Sequence, residues 1–120
     1  MPQRENSLRR ETRKLIEVTD QLRAALLAYR KACEGMVRAS APGRPETDTL
    51  QAMERLKVRE RRESVTEAIA DFEAARHKVR VELVAEAHDQ GRNSSDVARA
   101  LGVSRQLTSR LRLENRRHKR

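Results

Sequence analysis

The chain has 120 residues, 37% hydrophobic and 38% charged, with a formal net charge of +9. One tyrosine, one phenylalanine and no tryptophan leave too little apolar material for a single compact core, which argues for long, solvent-exposed helices and against a β-rich globule. From the polar start no secretory leader is expected, no apolar run approaches membrane-spanning length, and the lone Cys33 excludes a disulfide within these 120 residues and suits a reducing cytoplasm.

Met1 to Asn6 reads as a polar, frayed lead. From there a heptad begins: Leu8, Leu15, Leu22, Tyr29 and Met36 recur every seven residues, with Thr12, Thr19, Leu26 and Cys33 as companions four residues after each. The spacing predicts a helix over about residues 5–39, with Cys33 in its seam as a small buried hydrophobe. Gly35 is a candidate to end it or loosen its last turn. Residues 40–46, containing Ser40-Ala41-Pro42-Gly43-Arg44-Pro45, break the helix. Thr47 or Asp48 can cap the next one, predicted over about 47–78. No Gly or Pro intervenes before Gly91, so it can continue to Gln90 as one rod about 65 Å long at 1.5 Å per residue.

The second seam is less regular. Leu50, Met53 and Leu56 form a patch, and the charged block from Lys57 to Glu63 interrupts it. Val65, Ile69, Phe72, Val79 and Leu83 resume, with Arg76 where an apolar residue is expected. Two helices with one stripe each should fold back as an antiparallel hairpin or coiled coil. Such a hairpin buries little alone, so residues 1–78 are expected to pair with a second copy. Leu15, Leu22, Leu26, Tyr29, Val65, Ile69 and Phe72 are the expected dimer contacts.

Residues 79–120 have a different character. Val79, Val81, Leu83, Val84 and Ala87 line one helix that Gln90-Gly91 ends. Asn93 and Ser94 offer cap oxygens to a short helix in which Val97, Ala98 and Leu101 share a face. Gly102 supplies the left-handed turn, Ser104 caps a further helix, and Val103, Leu107 and Leu111 point inward. Residues 91–120 hold nine Lys or Arg against Asp96 and Glu114, so they carry +7 of the total charge.

The run Val97-Ala98-Arg99-Ala100-Leu101-Gly102-Val103-Ser104-Arg105-Gln106 resembles the helix-turn-helix of bacterial and phage transcriptional regulators, and the likeness covers about residues 79–117. It implies an all-α chain in which a helical hairpin precedes a three-helix DNA-binding unit. The implied function is a non-enzymatic, sequence-specific, homodimeric regulator, cytoplasmic and nucleoid-associated, that lays helix 104–117 in the major groove of double-stranded DNA. By motif position Arg105, Gln106, Ser109 and Arg110 read bases. Arg105 is suited to guanine O6 and N7, and Gln106 to adenine N6 and N7. Ser94, Ser95, Ser104, Arg112, Arg116 and Arg117 suit phosphates, and Lys119 and Arg120 extend a basic tail.

The chain departs from the family where Thr108 replaces an apolar, β-branched residue and Leu107 a small one. That departure predicts a slightly rotated second helix. The motif also resembles the DNA-binding end of site-specific recombinases, but ninety residues of helix leave no room for a catalytic domain. His77, His88 and His118 are too far apart to spell a zinc site, and no cofactor or metal is expected. Two other classes stay open: a hairpin that docks on a protein partner such as RNA polymerase or another regulator, and a nucleoid protein with little sequence preference.

Overall fold

The computed structural model describes residues 2–43 and 48–118, and the side chains of 7–43 and 48–116. It is all-α, with α1 Pro2–Ala39, α2 Thr49–Arg55, α3 Val58–Asp89, α4 Ser94–Leu101 and α5 Arg105–His118. Two compact units result: Ile16–Glu73, and the residues up to Leu15 together with those from Ala74 onward. The expected frayed lead is helical instead, because α1 already begins at Pro2, a residue whose fixed φ suits a first helical turn.

Ile16–Glu73 is a helical hairpin. Among the α1 residues removed from water in this unit, Val18, Leu22, Ala25, Tyr29, Ala32 and Met36 alternate in steps of three and four. The sevenfold repeat is therefore as expected, but the companions stand three residues after each large residue, not four. Leu26 is 47% exposed, and Thr19 and Cys33 also face outward, which corrects the reading of Cys33 as a buried hydrophobe. Small residues take the alternate positions because an alanine lets a neighbouring backbone come closer than Leu26 would. On α3 the same interval gives Val65, Ala68 and Phe72, and continues in Ala75 and Val79. Ala75, not Arg76, thus takes the inward place, and Ile69 lies outside it.

Gly35 does not end α1, which continues to Ala39. A Cβ at Gly35 would stand 2.7 Å from Leu56 Cδ2, so its lack of a side chain admits Leu56. Asp48 is the cap of α2, accepting from Gln51 N at 3.0 Å; Thr47 lies outside the described residues. The rod expected over 47–90 is broken. α2 stops at Arg55, Leu56 caps it, and Lys57 adopts φ +56° before α3 begins. The charged block offers only Val58 to hold a straight continuation, while Leu56 packs against Gly35. From Val58 to Asp89 α3 has no break, including at Arg76–Lys78.

In the other unit Val81, Val84, Val97 and Leu111 form the core, with Ala87, Leu101 and Leu107 packed against it. Leu83, expected on the inner face, is exposed; Val84 is buried as expected, and Ala85 is buried beside it. The start of α1 belongs here too: Glu11 joins Lys78, Val81, Glu82, Glu114 and Asn115 around a 170 Å³ cavity.

Thr108 is 0% exposed, and its Oγ1 donates to Ser104 O at 3.1 Å, an oxygen that already accepts from Thr108 N. The hydroxyl therefore adds a second bond to a satisfied carbonyl. Thr108→Val, which removes only that additional bond, is expected to change stability by no more than about 1.5 kcal/mol in urea titration. A loss well above that would show that the hydroxyl is needed.

Candidate nucleic-acid interface

The basic end is built around the corner between α4 and α5. Asn93, not Ser94, caps α4, its Oδ1 accepting from Asp96 N at 2.8 Å. Val97 and Ala98 turn inward, and the small Ala98 leaves room for α5 to cross nearby. At the other end Gly102 takes φ +70°, a region where a Cβ would be strained. There Val103 N donates to Ala98 O at 3.0 Å and Gly102 N to Arg99 O at 3.3 Å, closing the helix end in the Schellman manner. Ser104 Oγ then accepts from Leu107 N at 3.0 Å, opening α5. The hydroxyl proton stays available to an acceptor outside the helix.

Thr108, Leu111 and Asn115 are the buried residues of α5, and Leu107 is half-buried. Thr108 is β-branched and its hydroxyl is absorbed by Ser104 O, so it fills an inward position on α5 beside Leu111. Towards the C-terminus Asn115 Nδ2 donates to Glu82 Oε1 at 3.4 Å. His77 Nε2 lies 2.6 Å from Glu114 Oε2, a second tie between α3 and α5.

The opposite face of α5 is left to solvent. Arg105, Gln106, Ser109 and Arg110 are all exposed, as are Ser104, Arg112 and Arg116. At 100° per residue, Arg105, Ser109, Arg112 and Arg116 form one stripe, and Gln106, Arg110 and Leu113 form its neighbour. Arg112 and Arg116 thus continue the Arg105 line. Ser94 and Ser95, in the first turn of α4, are half-buried. The side chain of Arg117, and Lys119 and Arg120, lie outside the described residues. Leu113, 51% exposed, was missed by sequence reasoning. Counting on from Gln106 in steps of three and four would have placed it on the outer face.

His88, near the end of α3, is held below the ordinary imidazole pKa. Burial is the largest cause, and the positive charges of Arg112 and Arg116 act in the same direction, against a backbone hydrogen bond at Arg92 and the charge of Asp89. The folded chain therefore prefers neutral His88 while the unfolded chain titrates near about 6.5. Its contribution to stability is complete above that value and lost as pH falls towards the lowered folded value. The melting temperature should drop between about pH 7.5 and about pH 5.5, and His88→Gln should flatten that drop. An unchanged slope in the variant would contradict the assignment.

Among the described residues no group of His, Cys, Asp or Glu could hold a metal ion, and no helix is long and apolar enough to cross a membrane. Compared with models of protein families, with curated proteins and with solved structures, the chain matches none.

Proposed function

We propose that the chain is a sequence-specific DNA-binding protein, a homodimeric transcriptional regulator that presents α5 to the major groove. The observation that carries this reading is the exposed face of α5. It combines side chains able to make paired hydrogen bonds to bases, Arg105 and Gln106, with a continuing line of arginines, on a helix pinned from behind by Thr108 and Leu111. A face meant only for phosphates has no need of Gln106. Ser104 at the start of α5 and Ser94 and Ser95 at the start of α4 are placed to donate to backbone phosphates, assisted by free amides of those first turns.

Pairing of two copies is supported by apolar side chains that the hairpin leaves in water. Leu26, Val37, Leu50 and Ile69 are all exposed, Val37 and Leu50 each at 70%. Sedimentation at micromolar concentration should give twice 13.8 kDa; a clean monomer would refute the pairing.

The experiment for the function is selection of bound fragments from random duplex DNA at about 150 mM salt, where non-specific binding is weakened. The reading expects an enriched sequence with two-fold symmetry. Binding without enrichment would make the protein architectural, and no binding would leave the hairpin as the working part.

A further inference from the structure

A groove of about 710 Å³ lies on the Ile16–Glu73 unit, beside α1 and over the break between α2 and α3. Its floor is aliphatic, formed by alanines of α1 with Leu27 and Leu56. Five cations stand around it: Lys31 and Arg38 from α1, Arg55 from α2, Lys57 from the break and Arg61 from α3. Among the described residues no carboxylate lines the groove, and none of these five is ion-paired. A sphere of that volume is about 11 Å across, close to the Debye length in 0.1 M salt, so the charges repel one another across it.

The backbone adds a second observation. Lys57 sits at φ +56°, the left-handed region that glycine or asparagine adopts at lower cost. Glycine would relax the turn there, and lysine instead brings a charge to the rim of the groove.

We propose that this groove binds a small organic polyphosphate of the nucleoside triphosphate class. Its volume is that of a small-ligand site. A phosphate chain concentrates several charges in a short span, as the cluster requires, and each arginine fork matches a phosphate edge. The leucines and alanines take the organic portion, against which a guanidinium plane can stack. An acidic helix from a partner protein fits less well. Its carboxylates recur only once per turn, and the floor has no deep pocket or aromatic anchor to hold it.

Calorimetry on the full chain, with ATP, AMP and tripolyphosphate at matched ionic strength, tests this. ATP should bind one to one, with AMP and tripolyphosphate each weaker by about tenfold or more. The triple variant Lys31→Gln, Arg55→Gln, Arg61→Gln should lose ATP affinity by at least about tenfold while keeping its helical circular dichroism. Lys57→Gly should melt higher without ligand and bind ATP more weakly. Arg105→Ala should bind ATP as the wild type does, which separates this groove from the α5 face. ATP binding no tighter than AMP or tripolyphosphate would overturn the proposal. So would full affinity in the triple variant, loss of ATP binding in Arg105→Ala, or occupation of the groove by an acidic helical peptide with no heat from ATP.

Discussion

Leu111→Ala is expected to destabilise the unit that carries α5 by about 2–5 kcal/mol, the cost of truncating a buried leucine whose surroundings cannot collapse. Leu111 is 2% exposed and belongs to the cluster of Val81, Val84 and Val97, which joins three helices. The cluster and the residues packed against it include no aromatic side chain that could slide into the space. Amide exchange should report the loss in residues 97–111, with urea titration followed by circular dichroism giving its size. Leu113→Ala, two residues on, is the control: half-exposed, it should change stability by no more than about 0.5 kcal/mol. Equal effects from the two would mean that α5 packs through a different face.

Arg105→Ala should weaken binding to the selected DNA site by about 1–3 kcal/mol and relax the base preference at one position. The side chain is exposed in the first turn of α5, the part of a reading helix that reaches deepest into the groove. Arg116→Ala, three turns on along the same stripe, should act differently. It should lower affinity for all sequences alike and reduce the slope of log affinity against log salt by about one. Titration of selected and scrambled duplexes at several salt concentrations distinguishes the two. If both variants lose the same factor on both duplexes, α5 contacts backbone alone.

The two ends of the chain differed in how readable they were. Around Gly102 the local signals agree: a cap at Asn93, a small Ala98, a residue that tolerates positive φ, and a serine to reopen the helix. Each satisfies backbone groups within a few residues, so short-range chemistry is enough to define that corner. Along α1 the repeat of seven was clear, but its phase was not. Leu26 and Cys33 look more apolar than Ala25 and Ala32, yet close packing favours the small residues, and apolar content alone does not register that. Lys57 was harder still. A lysine carries no turn signal, and the break there depends on Leu56 reaching Gly35, an encounter between residues far apart in sequence. Thr108 misled in the opposite sense. Its hydroxyl reads as polar, but a bond to Ser104 O lets the side chain be buried as a valine would be.

That α5 enters the major groove is tested most directly by cleavage from a tethered reagent. Cys33 is exposed and must first be replaced by serine; an iron chelate is then attached through Leu113→Cys. Leu113 shares the outer stripe of Gln106 and Arg110 and carries no assigned contact. The account predicts strong cleavage confined to a few nucleotides inside the selected site, and only faint, scattered cleavage of a scrambled duplex. Equal cutting of both duplexes, or none inside the selected site, would contradict it.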